Sequence, residues 1–140
     1  MIFGCKNDTL DENMRRRLFG LPRAHLDKIR RLGTSSALFL FNYDTRLLRG
    51  VFAPDGPGDL DIEPSAFANH RRADTPPGSS PFPAQIRWKP LCECAPTGEA
   101  AWAHIPTRAM RRGRGGAGHA IYELWLSAEQ ANALAAVLMG

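Results

Sequence analysis

Long apolar stretches are what this 140-residue chain most conspicuously lacks. No run approaches the ~18 residues that a membrane-crossing helix needs, so membrane insertion is not expected. Cysteine is scarce as well. Cys5, Cys92 and Cys94 are an odd number of thiols, which implies no disulfide framework and reads most simply as reduced cysteine. The opening Met1-Ile2-Phe3-Gly4-Cys5-Lys6 has neither the basic start nor the apolar core of about 7 to 15 residues that a secretory signal carries. No Arg/Ser-rich transit segment precedes the first motif either, which points to an intracellular setting, cytoplasmic or nuclear.

The familiar signatures of catalysis are missing too. The sequence contains no G-x-x-x-x-G-K-[ST], no G-x-S-x-G, no H-E-x-x-H and no G-x-G-x-x-G. No enzyme activity, catalytic residue or cofactor is therefore expected. A metal site is not expected either: Cys92-Glu93-Cys94 has one intervening residue where zinc pairs show two to four, and none of the four histidines stands in an H-x3-5-H pair. Asp59-Leu60-Asp61-Ile62-Glu63 sets three carboxylates in alternation, which on an extended segment would share one face about 6 to 7 Å apart. A solvated strand edge explains that pattern better than a divalent cation. His25 has no nucleophile fixed in register with it and reads as a surface histidine.

What the chain has in quantity is arginine. Fifteen of its eighteen basic residues are Arg, against fourteen acidic residues, giving a net charge of +4. A polyanionic partner is one reading, although a chain rich in Arg, Ala, Gly and Pro also arises from GC-rich coding without selection for binding. Two clusters stand out. Arg15, Arg16 and Arg17, continued by Arg23, Arg30 and Arg31, could form a basic strip, and Arg111, Arg112 and Arg114 sit in a Gly-rich segment suited to tracking phosphate. Trp88, Trp102 and Trp125 could stack on bases but fit a core better.

Periodicity gives the outline of a single domain over residues 1–140. Thr9-Leu10-Asp11-Glu12 has the pattern of a capping box, with Leu10, Met14 and Leu18 as an apolar stripe and Gly20 as the stop. Pro22 opens a second helix with Leu26 and Ile29 inward, ending near Gly33. The run Leu38-Phe39-Leu40-Phe41 and the segment Leu47 to Phe52, joined by a short polar connection, predict a β-hairpin covered on both faces. Residues 69–81 and 108–118 read as exposed, flexible loops. Ala84, Ile86 and Trp88 alternate with polar residues as in a strand. Ala100 to Trp102 suggests a helical turn, and residues 120–126 a last strand. Ser127-Ala128-Glu129-Gln130 caps a closing helix with Ala131, Leu134, Ala135 and Leu138 inward. The sum is α+β: a small, curved, mainly antiparallel sheet with two amino-terminal helices and one carboxy-terminal helix.

Several ordered blocks carry a resemblance. Ile2-Phe3-Gly4-Cys5, Leu18-Phe19-Gly20-Leu21-Pro22, Leu38 to Tyr43, Leu48-Arg49-Gly50-Val51-Phe52 and Pro81 to Arg87 resemble the plant development and cell death (DCD) domain. The likeness continues more weakly through Glu99 to Trp102, Tyr122-Glu123-Leu124 and the last helix. Phe67 departs from it, standing where the family often has Trp, and residues 97–118 diverge. The resemblance implies a non-catalytic protein-interaction or regulatory module in plant or algal development, stress response and programmed cell death, with a protein partner. More remotely the blocks are similar to PUA-like barrels of the YTH and EVE kind, which implies a barrel and, as the alternative function, binding of RNA or a modified base. Carried over by block, Phe19, Asn42 and Phe67 are the implied pocket residues. Residue by residue, Phe19 and Phe67 read as core and Asn42 as a turn residue.

Overall fold

The computed structural model describes residues 1–70, 75–109 and 120–140. The hairpin forms as expected: β3 (Leu38–Asn42) and β4 (Leu47–Pro54) pair antiparallel, with Leu38 opposite Phe52 and Phe41 opposite Leu48. All five β3 residues are buried, because alternate side chains of a continuous apolar run enter two different cores. β6 (Ala84–Pro90) adds to β4, and β2 (Leu18–Leu21) adds to β6 in antiparallel register. β1 (Ile2–Cys5), unanticipated in the sequence reading, lies parallel to β3. The ladder therefore runs β1-β3-β4-β6-β2. Two-residue β5 (Asp59–Leu60) and β7 (Thr97–Gly98) attach to β6 and β4. β8 (Arg108–Ala109) and β9 (Ile121–Tyr122) form a separate pair, so the segment from 108 onward starts as strand rather than loop, and the strand expected over 120–126 shortens to two residues.

The class is α+β, with a mixed, mostly antiparallel seven-strand sheet. The sheet is open, not a hydrogen-bonded barrel: β1 and β2, the two ends of the ladder, do not pair. They nevertheless face each other, with the Phe3 and Phe19 rings 5.0 Å apart.

The amino-terminal helix departs from its expected frame. α1 (Asn7–Arg15) starts before Thr9, whose Oγ1 accepts the Lys6 amide at 3.2 Å from inside the first turn. Glu12 does not reach back, so the Thr9/Glu12 capping box is not made; its carboxylate serves other partners described below. Arg17 takes a left-handed φ of 48°, ends the helix, and releases Leu18 into β2. Gly20 thus lies within a strand instead of stopping a helix, and a Cβ there would stand 2.7 Å from the Phe82 carbonyl oxygen. After Pro22 a 3-10 turn (Arg23–His25) leads into α2 (Leu26–Arg30), with Ile29 fully buried. α3 (Glu99–Trp102) and α4 (Ala128–Met139) follow. The Ser127 box does form: Ser127 Oγ accepts the Gln130 amide at 3.1 Å and Gln130 Oε1 accepts the Ser127 amide at 2.9 Å.

Two cores result. One gathers Phe3, Phe19, Leu40, Phe52, Ile86 and Trp88 from all five principal strands. The other sets Ile2, Phe39, Phe41 and Leu48 of β1, β3 and β4 against Trp102, Tyr122, Leu134 and Leu138.

Candidate functional site

The unpaired ends of the ladder create the most capacious of the clefts described. Beyond the Phe3–Phe19 contact, β1 and β2 border a recess of about 600 Å³ lined by Gly4 and Cys5 on one strand and Gly20 and Leu21 on the other. Thr9 and Asn13 of α1, with His25, Tyr43, Phe67 and His70, complete its walls. Glycine is required at position 4 because a Cβ would fall 2.3 Å from the Tyr43 ring. That close approach lets the ring lie against β1, and burial pushes the Tyr43 phenol above its ordinary pKa. Burial, with Lys28 nearby, holds the His25 imidazole below its ordinary value.

One carboxylate fixes the far wall. Glu12 Oε2 accepts the Phe67 amide at 2.9 Å and Arg16 Nε at 3.0 Å. His70 stands over the same group, with Nδ1 3.4 Å from Asp8 Oδ2 and Nε2 3.8 Å from Glu12 Oε1. Phe67 itself has φ 63°, a left-handed conformation that is unusual for a bulky side chain. Its ring is buried, edge-on to Phe82 at 5.9 Å.

The three pocket residues implied by the resemblance do not converge. Phe67 lines the cleft. Phe19 lies in the core between Phe3, Phe52 and Trp88, with centroid distances of 5.0, 5.4 and 5.3 Å. Asn42 is fully buried and organises the β3–β4 turn: its Oδ1 accepts the amides of Asp44 and Thr45, and its Nδ2 donates to Asn7 Oδ1.

The amino-terminal arginines are largely engaged within the chain. Arg15 pairs with Asp11 at 3.3 Å, and Arg16 reaches Glu63 at 2.8 Å in addition to Glu12. Arg17 sits 5.9 Å over the Trp88 ring, and Arg30 pairs with Asp59 at 2.8 Å. Arg111, Arg112 and Arg114 lie outside the described residues. The carboxylate alternation of 59–63 is broken by a left-handed Asp61, and Glu63 turns to Arg16 and Arg87. Among the described residues no group of three or more His, Cys, Asp or Glu is arranged to hold a metal ion. Trp88 and Trp102 are buried, whereas Trp125 is 39 % exposed. No helix among the described residues is long and apolar enough to cross a membrane.

Sequence reasoning missed Tyr43 and His70 as cleft residues. The available signal was glycine at positions 4 and 20, inside apolar strand sequence, where a ring or another backbone must come close.

Comparison with known proteins converges on one family. The family model described as the development and cell death domain matches residues 1–137. The chain is 40 % identical over 104 residues to the DCD domain-containing protein NRP-B of Glycine max, covering 74 % of this chain and 30 % of that protein. It is 39 % identical over the same length to the B2 protein of Daucus carota, covering 74 % of this chain and 48 % of that one. The DCD domain-containing protein NRP of Arabidopsis thaliana is also 39 % identical over 104 residues, 74 % of this chain and 29 % of its own length. The matched region thus spans from under a third to about half of these relatives.

Proposed function

The chain belongs to the development and cell death domain family, and from that premise we propose that it is a non-catalytic protein-interaction module of plant or algal development, stress response and programmed cell death. The observation that carries this reading is the cleft at the β1–β2 seam. It is walled by aromatic rings and by polar groups of both signs, among them Lys6, Asp8 and His70, and it lies beside two strand edges. A peptide segment suits such a recess, with rings to cover apolar side chains and charged groups at the rim to fix orientation.

The partly buried pairing of Arg16 with Glu12 and Glu63, to which Arg15 and Arg30 add surface pairs, favours a protein partner over RNA. A guanidinium already held by a carboxylate must give up that partner before it can neutralise phosphate. RNA or modified-base binding is the alternative, and it would draw on the Arg/Gly segment.

Panning the chain against a random peptide library, then titrating selected peptides by calorimetry, tests the reading. Expected are micromolar complexes that lose little affinity between about 50 and 500 mM salt and weaken at least about tenfold in Tyr43→Ala, which removes a cleft wall. Failure to enrich any peptide, together with single-stranded RNA binding that falls steeply with salt and is lost when Arg111, Arg112 and Arg114 become Ala, would replace it with the RNA reading.

A further inference from the structure

A second cleft, of about 310 Å³, opens where the chain leaving β6 runs back along β4. Four backbone hydrogen bonds hold that return: the Leu91 and Cys92 amides donate to the Val51 carbonyl at 2.8 and 3.2 Å, the Val51 amide to Cys92 at 2.9 Å, and the Cys94 amide to Gly50 at 3.3 Å. Extended backbone puts residues two apart on one side. Cys92 and Cys94 therefore project together, both half-buried, while Glu93 between them is exposed. Their sulfurs lie 3.3 Å apart, with the Cys94 thiol donating to Cys92 Sγ.

Arg49 and Arg17 line the same cleft. Arg49 forms no ion pair with a described carboxylate, and its Nη1 is a buried nitrogen without a hydrogen-bond partner. A buried donor left in this condition calls for an acceptor, and an anion formed within the cleft would supply one. The combination of two touching thiols and an unengaged cation is the microenvironment in which a thiolate is stabilised and a second thiol stands ready to react with its oxidised form.

We infer that Cys92 and Cys94 form a two-electron redox site, oxidised by a hydroperoxide to an intramolecular disulfide, with Arg49 as the cation that supports the attacking thiolate. Cys92, which receives the Cys94 S–H, gives up its own proton to solvent and attacks the peroxide. The O–O bond breaks, the departing oxygen leaves as water or an alcohol after taking a proton, and Cys92 becomes a sulfenic acid. Cys94 Sγ then attacks the Cys92 sulfur, forming the S–S bond; hydroxide departs and takes the Cys94 proton as water. Two thiols and one hydroperoxide give a disulfide, an alcohol or water, and a water, with two electrons passed from sulfur to oxygen. The sulfurs need only close from 3.3 Å to the ~2.05 Å of a bond. Burial first, and the hydrogen bond to Cys92 second, raise the Cys94 pKa, which suits a thiol that keeps its proton until the resolving step. Cys5 is an internal control: burial in the core pushes its thiol up to about 12 even though the Arg49 charge pulls it down, so a guanidinium without exposure leaves that thiol out of the reaction. This inference is independent of the peptide-binding reading.

The test is peroxide treatment of the whole chain, followed by denaturation, alkylation and mass spectrometry. Expected is a loss of about 2 Da before labelling, reversed by dithiothreitol, with Cys5 alone alkylated. The near-isosteric Cys94→Ser traps a dimedone-reactive sulfenic acid at Cys92, whereas Cys92→Ser gives no adduct at Cys94. Arg49→Gln slows oxidation about tenfold at neutral pH. Three alkylated thiols after peroxide, disulfide-linked dimers as the only product, or dimedone on Cys94 in place of Cys92 would each overturn the site; an unchanged rate in a folded Arg49→Gln would remove Arg49 from it.

Discussion

The two faces of the sheet are filled by different means. The first core is built around strand rings: Phe3, Phe19, Phe52 and Trp88 come from four of the five ladder strands and meet ring to ring at 4.4 to 5.4 Å, with Ile29 and Leu32 closing over them. The second depends on chain that arrives much later, with Trp102, Tyr122, Leu134 and Leu138 covering Phe41 and its neighbours. Polar content separates them further. Beneath the second core Arg46 grips Glu99 through two nitrogens at 2.7 and 2.9 Å and lies 4.7 Å over the Phe41 ring, while the Tyr122 hydroxyl donates to Glu99 at 2.5 Å. The contrast teaches that one face is closed by strand rings and the helices near the amino terminus, whereas the other is finished by an ionic clamp between the hairpin turn and the carboxy-terminal elements.

The largest expected effects are those of removing one central ring from each face. Phe19→Ala and Trp102→Ala should each cost about 3–5 kcal/mol in urea unfolding. Trp102 also loses the bond from its Nε1 to the Thr97 carbonyl at 2.9 Å, so its loss should be at least as great. A far smaller cost for either would show that its face is loosely filled. The clamp comes next. Tyr122→Phe should cost about 1.5–3 kcal/mol by deleting one hydrogen bond to a charged group.

The clamp also carries a pH signature. Burial, then the bond to Glu99, pushes the Tyr122 phenol up to about 12 from its ordinary 10. A pKa raised by folding gives stability that is complete below the unfolded value and fades as pH climbs from about 10 to about 12. Tyr122→Phe should make that limb of an alkaline unfolding series shallower, leaving the part that Cys5 and Tyr43 contribute, while Phe19→Ala should leave its slope unchanged. A smaller effect is expected at the cap of α4, where Ser127→Ala should cost about 1 kcal/mol. Smallest of all should be the coupling between faces: Ile86→Val and Leu134→Ala, on opposite sides of the sheet, should add within about 0.5 kcal/mol. A larger interaction energy would mean that the sheet transmits strain from one core to the other.

Where local pattern decided the outcome, the sequence was a good guide. The hairpin, β6 and the Ser127-capped helix each follow from periodicity or capping within a dozen residues. β1 is only four residues long and finds its partner 37 positions away, so nothing local announces it. α1 was extended too far because Leu18 continues the four-residue spacing of Leu10 and Met14, while the actual break is a left-handed Arg17, where glycine would be the ordinary marker. The candidate site was legible only in part. Phe67 reaches the cleft through an equally unmarked left-handed turn, held by the Glu12 carboxylate. Tyr43 reaches it because Gly4, on another strand, leaves room.

A closed barrel has its girth set by amide pairing around the full circumference. Here the last join of the circuit is made by two phenyl rings, and rings can slide where amides must let go. That one meridian is therefore held by dispersion contact and by no ladder hydrogen bond.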